Sequence, residues 1–368
     1  MMSGQEGEKK KKGWKGNFCQ LQLLHWSVKE DFPLASFQMH IDTASFLIAS
    51  KLSISQEQAE ALRKMQKERT KLKMGMDELV YEEAAALKAS LPKSFVAGID
   101  KWQDCHSTIS YIKDQAGCGS CWAIGPSEAI ADRLCIHCGV GLNSSKHTGP
   151  SGEPAPGFDV SAENIMACCH ECGFGCEGGY VVDAVSYYVN HGVVSGGWYG
   201  SKCGCQSYQI DPTSKDPAKT PMCSNTTCDS PNYPLSWMAD RHHGVAGDRA
   251  HFLMDEASIM ADLYENGPIP CGFMVKQSWE KFFKAHPKGI YTGGGWFDQT
   301  MGGHAIKIIG WGEGPDLKGK TVPYWVINNS WNVTWGDNGT SAGCIAFKTG
   351  CQNLNPKANN LLCEGVDY

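Results

Sequence analysis

The chain has 368 residues, enough for two or three folding units and a sizeable buried core. With 42% hydrophobic and 20% charged residues it is ordinary globular material rather than a disordered chain. The net charge of −6 argues against a nucleic-acid partner, which calls for a basic face, and no apolar run approaches the roughly 20 residues of a membrane-spanning helix.

Of the 18 cysteines, all but Cys19 lie at or beyond Cys105. Such density points to an oxidising compartment and a disulfide framework. Zinc is the rival reading, because Cys168, Cys169, Cys172 and Cys176 offer four thiolates. A structural zinc site usually pairs two Cys-x-x-Cys knuckles, and no matching second knuckle is present, so disulfides are preferred. An oxidising compartment calls for a signal peptide. Lys9 to Lys12 form a charged stretch, but the following Phe18 to Trp26 is short and interrupted by Gln20, Gln22 and His25. It does not make the apolar run of about 7–15 residues that a leader needs.

Residues 1–50 show no clean period. Ser55 with Gln58 three positions later makes a capping box, and residues 56–89 are rich in good helix formers. Ala59, Leu62, Leu72, Met76 and Leu79 give them an imperfect apolar stripe. The bland reading is a surface helix of the main domain. Its place before the Leu91-Pro92 break favours a separate pro-segment, so residues 1–90 are expected to be an N-terminal extension and pro-segment, and 91–368 the main domain. Beyond Pro92, Gly, Pro, Trp, Tyr and Cys become dense. Helices are predicted over 121–137, Asp183 to Asn190 and Asp255 to Glu265, and short strands at Ala305 to Gly310 and Tyr324 to Ile327. The mixture predicts an α+β domain of two lobes.

The strongest local signal is Gln115-Ala116-Gly117-Cys118-Gly119-Ser120-Cys121-Trp122. A cysteine thiol near its ordinary pKa of about 8.5 is mostly protonated at neutral pH. A helix N-terminus and a nearby imidazolium stabilise the thiolate and make it a nucleophile. Gly117 and Gly119 let the chain turn tightly into the predicted helix, with Cys121 or Ser120 at its start. The bland alternative makes Cys121 one more half-cystine. His304, in Gly302-Gly303-His304-Ala305, follows two glycines and precedes a strand, which suits an exposed side chain on a rigid edge. In Tyr324-Trp325-Val326-Ile327-Asn328-Asn329-Ser330-Trp331, an Asn side chain can hold an imidazole in one tautomer, and Trp331 can shield that bond from water. In the chain order Cys121, His304, Asn329 they form one constellation.

These motifs resemble papain-like cysteine peptidases, and several narrow the likeness to the cathepsin B type. The likeness runs from Leu91 to about Thr349. Leu91-Pro92-Lys93-Ser94-Phe95 is similar to a mature N-terminus of that group, and Ser127-Glu128-Ala129-Ile130-Ala131-Asp132-Arg133 to its central helix. Cys176-Glu177-Gly178-Gly179-Tyr180 and Trp335-Gly336-Asp337-Asn338-Gly339 follow the pattern too. The resemblance implies a papain-like two-lobe fold, helical on the left and β-barrel-like on the right, with the cleft between. It implies Cys121 as nucleophile, His304 as general base and acid, and Asn329 as the residue that orients it. Gln115 would serve the oxyanion hole, Gly178 and Gly179 would pair with substrate backbone, and Trp331 would wall the leaving-group side. Such chemistry uses no metal or other cofactor. Implied partners are protein and peptide substrates, the chain's own pro-segment as inhibitor and cystatin-like inhibitors; the implied location is lysosomal or secreted. The resemblance also suggests the pairs Cys105–Cys135, Cys118–Cys176, Cys168–Cys223, Cys169–Cys172 and Cys205–Cys228.

Departures from the pattern matter as much. The cathepsin B type carries a loop with two adjacent histidines that binds a substrate's C-terminal carboxylate. Here Cys205 to Cys223 is short and holds no histidine, while His242-His243 lie downstream in a different context. An open cleft with mainly endopeptidase action, rather than strong dipeptidyl carboxypeptidase action, is the expectation. Leu354 falls where the family has an acid at the bottom of its S2 pocket, which would favour apolar side chains there. Pro126 falls inside the predicted catalytic helix and predicts either a kink or a later helix start. It keeps a second reading in play, a catalytically impaired homologue that binds peptides or inhibitors without turnover. Sequons at Asn143, Asn225, Asn328, Asn332 and Asn338 suit a secretory route.

Overall fold

The computed structural model describes residues 91–141, 158–253 except 202, 215, 217 and 245–249, 256–343 except 294–296, and the backbone of 351–353. The capping box at Ser55, the helical stretch 56–89, Cys19, the sequon at Asn143 and Leu354 lie outside these residues.

After strand β1 (Phe95–Val96) and the short helix α1 (His106–Ile109), the central helix α2 spans Cys121–Cys138. Trp122 to Cys135 are all buried, so the helix is covered on every side. Ile124, Ile130 and Leu134 join one apolar core with Ile165 and Met166 of α3 (Ala162–Cys168) and Val185 and Tyr188 of α4 (Val181–His191). Cys135 joins a second core with Trp279, Phe283, Ile306 and Ile308. Two cores sharing one helix make the two lobes. Gly139 ends α2 in the left-handed conformation (φ 69°), its N–H returning to Cys135 and Leu134 carbonyls, which is why the helix stops at a glycine.

Pro126 neither delays the start of α2 nor divides it: the helix begins at Cys121 and runs on to Cys138. A proline ring clashes with the Cβ of the residue before it. Here that residue is Gly125, which has no Cβ, and whose missing methyl would stand 3.4 Å from the Ile306 carbonyl. What remains is one lost helical hydrogen bond and the crowding of the Trp122 carbonyl by the ring.

The strands β2 (Gly196–Gly197) and β3 (Gln206–Ser207) pair on the left. The right lobe is an eight-stranded sheet with α5 (Glu256–Asn266) and α6 (Gln277–Ala285) packed on it. Its path is β4 (His251–Leu253), β10 (Cys351–Asn353), β5 (Ile269–Lys276), β7 (Thr300–Pro315), β8 (Thr321–Asn328), β9 (Thr340–Gly343) and β6 (Ile290–Tyr291), with β1 also on β7. Buried ion pairs tie the right lobe to α2: Arg133 to Asp262 at 2.5 Å and Asp132 to Lys307 at 2.8 Å. The fold is α+β and papain-like. Among the described residues, no helix is long and apolar enough to cross a membrane.

All five expected disulfides are present, at Cys105–Cys135, Cys118–Cys176, Cys168–Cys223, Cys169–Cys172 and Cys205–Cys228. They consume the four thiols that zinc would have needed. Cys138 and Cys271 are half-cystines as well. Asn328, one of the sequon residues, is buried and donates to the Ile109 carbonyl, so it is no glycan acceptor in the folded chain.

Candidate active site

Cys121 is the first residue of α2, with a partly exposed, free thiol. The turn that delivers it is held closely. Cys118 is bonded to Cys176, and the Gly119 N–H donates to the Cys176 carbonyl at 2.8 Å. A Cβ on Gly119 would meet that carbonyl oxygen at 2.5 Å, so only glycine passes there. Ser120 stands at the cap position but does not cap; its buried hydroxyl turns away to the Tyr208 hydroxyl at 2.5 Å. Burial pushes the Cys121 thiol above its ordinary pKa, while the N–H groups of Ala305, Trp122 and Cys121 itself hydrogen-bond the sulfur and pull the other way.

The first of those N–H groups belongs to the residue after His304. His304 was expected exposed on a strand edge. Instead β7 begins at Thr300, His304 sits inside it with 7% of its surface exposed, and the Trp331 ring stacks on it at 4.7 Å. Phe273, its register partner on β5, packs against its other surroundings edge-on at 5.9 Å. Asn329 follows the last residue of β8, the neighbour of β7, and comes within reach of the ring. Asn329 Oδ1 takes the backbone N–H of Ser330 at 2.8 Å, which fixes that atom as the oxygen. His304 Nε2, 2.7 Å from the same oxygen, is therefore the protonated ring nitrogen, and Nδ1 keeps a lone pair. Burial pushes the His304 pKa down to about 4, against the opposing effect of the Asn329 hydrogen bond.

Gln115 is oriented at both ends of its amide. Ser330 Oγ donates to Oε1 at 2.7 Å, and Nε2 donates to the Cys118 carbonyl at 2.9 Å. The amide N–H side thus faces the loop that leads into Cys121. Backbone pairing of Gln115 N–H with the Ser330 carbonyl at 2.9 Å completes the link. Tyr208 donates its hydroxyl to the Gln115 carbonyl at 3.0 Å while receiving Ser120, so one phenol ties the oxyanion candidate to the start of α2. Ser330 and Tyr208 were not among the residues read from sequence. Ser330 stands inside the Asn329 motif, where its hydroxyl was a usable signal; Tyr208 had none.

Gly178 and Gly179 lie on the loop that Cys176 brings to Cys118. Gly178 has φ 109°, and a Cβ there would meet nothing within 4 Å, so its backbone faces open space. A Cβ on Gly179 would strike the Trp122 ring at 2.4 Å. The segment from Cys205 to Cys223 is strapped to the left lobe by Tyr208, by Thr220, whose hydroxyl takes the Cys176 N–H at 2.8 Å, and by Cys168–Cys223. His242 is buried, paired through its backbone with Val193 and edge-on to Phe158 at 5.0 Å. His243 accepts from Arg241 at 3.3 Å. None of these contacts is with Cys121, His304, Asn329 or Gln115.

The chain is similar to several known proteins. The family described as papain family cysteine protease matches residues 97–353. A gut-specific cysteine proteinase of Caenorhabditis elegans is 38% identical over 269 residues, covering 72% of this chain and 71% of its own. Cathepsin B-like cysteine proteinase 4 of the same organism is 36% identical over 266 residues, covering 68% and 69%. Among solved structures, procathepsin B S9 from Trypanosoma congolense superposes with a TM-score of 0.53 at 29% identity, covering 71% of this chain and 76% of that one.

Proposed function

The chain belongs to the papain family of cysteine proteases, with cathepsin B-like relatives, and from that premise we propose that it is an endopeptidase acting through a Cys121 thioester. The observation that carries the proposal is the linked set at the head of α2: a free thiol that receives the Ala305 N–H, beside a His304 held by Asn329 in the Nδ1-basic tautomer.

Burial disfavours either charge alone, the thiolate or the imidazolium. Moving the thiol proton to His304 Nδ1 creates both at once, and each then stabilises the other. The thiolate sulfur attacks the substrate carbonyl carbon, and the carbonyl oxygen gathers negative charge. Gln115 Nε2 and the Cys121 backbone N–H receive it; loss of one such donor costs on the order of 10²–10³ in rate. As the intermediate collapses, the C–N bond breaks and the leaving amine takes the proton from His304. Water, deprotonated by His304, then attacks the thioester. The acid product departs, and sulfur recovers its proton. Gly178 and Gly179 offer backbone to the extended substrate, and Trp331 walls the side where the amine leaves.

Proteins and peptides are the substrates. The segment 1–90 acts as the inhibitory pro-segment, a reading supported by likeness to a proenzyme, and cystatin-like inhibitors would compete for the same cleft. The disulfides suit a lysosomal or secreted enzyme. Preference for internal bonds follows from the histidine-free strap between Cys205 and Cys223. The uninterrupted α2, the His304–Asn329 bond and the oriented Gln115 amide support the active reading over the impaired homologue. The test is digestion of a quenched peptide blocked at both termini, beside a free-ended peptide of the same sequence and an epoxide-labelled sample. Internal cleavage abolished by labelling at Cys121 is expected. Release of C-terminal dipeptides from the free-ended peptide alone would overturn it.

A further inference from the structure

Beyond Gln115 and Trp331, on the side assigned to the leaving group, the left lobe opens into a cavity of about 140 Å³. Its lip joins the catalytic residues directly. Asp114 precedes Gln115 and forms an antiparallel bridge with Trp331, and the Asn332 amide donates to the Asp114 carboxylate at 3.0 Å. Its floor is Ile124, one turn of α2 from Cys121. Four aromatic rings, Tyr111, Trp198, Tyr199 and Tyr208, supply the walls, with Tyr111 and Trp198 at 6.0 Å between centroids. Tyr199 is 42% exposed, so the mouth is open to solvent. An engineered cavity of about 150 Å³ in another protein admits a benzene ring, so this one is sized for a single long or cyclic side chain.

Charge in the wall is uneven. Lys113 is committed: its ammonium lies 2.7 Å from Asp159 and also donates to Ser127 and the Val160 carbonyl. Asp114 is not. Its oxygens take the Ala116 N–H at 2.8 Å and the Asn332 amide, both neutral donors, and among the described residues no cation pairs with it. Aromatic faces around one carboxylate without a counter-ion attract a cation with a long apolar stem. We infer that this cavity is a specificity pocket for a basic side chain, arginine or lysine, lying within three residues of the scissile bond on its leaving-group side. The inference rests on the endopeptidase reading, because a substrate must continue past the cut to reach the pocket.

The test is a set of quenched peptides with one constant sequence before the scissile bond, blocked at both ends. Arginine, its neutral isostere citrulline, or glutamate is placed in turn at each of the three positions after the bond. At one position arginine is expected to raise kcat/KM roughly 10-fold over citrulline, and glutamate to fall below both. Asp114→Asn removes most of the arginine advantage, read as the ratio of arginine to citrulline kcat/KM within that variant, whatever its absolute rate. Tyr199→Ala, at an exposed position that spares the core, reduces the advantage in the same direction. Equal rates for arginine and citrulline at all three positions, with internal cleavage intact, would overturn the inference, as would a preference untouched by both variants. Failure to cut any blocked peptide would overturn the endopeptidase reading, and the pocket assignment with it.

Discussion

Two consecutive residues, Asn329 and Ser330, orient two different catalytic candidates. The side chain of Asn329 holds His304, and the hydroxyl of Ser330 holds Gln115. Tyr208 closes the circuit from the other side, between Ser120 and the Gln115 carbonyl. It touches no reacting atom, so it is a positioning residue. Tyr208→Phe keeps the buried ring and removes both hydrogen bonds. Misplacing an oxyanion donor costs less than deleting it, so kcat should fall roughly 10-fold with KM nearly unchanged. A peptide aldehyde, which forms a tetrahedral adduct, should lose affinity in parallel, while the rate of Cys121 alkylation by a haloacetamide stays the same. A general loosening of the fold would instead move all of these together. At this scale the candidate residues were legible where short motifs carry them: Gln115, Cys121, His304 and Asn329 all stand in such motifs. Tyr208 and Ser330 act through space, 93 and 215 residues from Gln115, and no local pattern announces such a tie.

Elements decide how those residues meet. The helix over 121–138, α4 and α5 were readable from apolar spacing and composition within two residues of their observed ends. The short helix α3 was missed because seven residues are too few to show a period, and α6 because Trp279 and Phe283 carry its apolar face almost alone. Pro126 misled because helix rules treat proline alone, whereas Gly125 before it removes the clash with a preceding Cβ. A related economy operates in the loop carrying Gly178 and Gly179. Trp122 is pinned under this loop by its indole N–H, which donates to the Gly175 carbonyl at 2.9 Å. Gly179 packs flat on that ring, so Gly179→Ala must push either the tryptophan or the loop. Overpacking of this kind costs about 1–3 kcal/mol. The variant should unfold at lower denaturant concentration and bind peptide substrates more weakly, read as a higher KM. Gly178→Ala meets no neighbouring atom, but its φ of 109° is strained for any side chain, so it should lose stability without the tryptophan fluorescence change expected of Gly179→Ala.

At the scale of the whole molecule, the fold encloses carboxyl groups that the proposed catalytic steps do not use. Glu128 on α2 is fully enclosed, and burial lifts its pKa from 4.5 to about 7 despite Lys307 and Lys113 nearby. Glu163 on α3 is lifted to about 7 as well, chiefly by burial, with one oxygen taking the Gln209 N–H and the other unpartnered. A carboxyl whose folded pKa is raised holds its proton more tightly when folded. Its contribution is complete below its unfolded pKa of 4.5 and is lost as pH rises through about 7. Each group is worth at most about 3 kcal/mol across that window. His304 works in the opposite sense: its folded pKa of about 4 lies below the ordinary 6.5, so stability is lost as pH falls between them. His137, His242 and His243 are lowered as well, and Asp132 and Asp229 raised. The histidine contributions are complete above their ordinary pKa of about 6.5, so from there to pH 8 the carboxyls set the slope. Thermal unfolding of a Cys121→Ala protein, which cannot digest itself, should show Tm falling between about pH 6.5 and pH 8. Glu128→Gln and Glu163→Gln mimic the protonated acids, so each should flatten that fall and raise Tm at the alkaline end while changing little at the acid end. A Tm that rises with pH through neutrality, or variants as pH-sensitive as the parent, would show that these carboxyls are ionised in the fold.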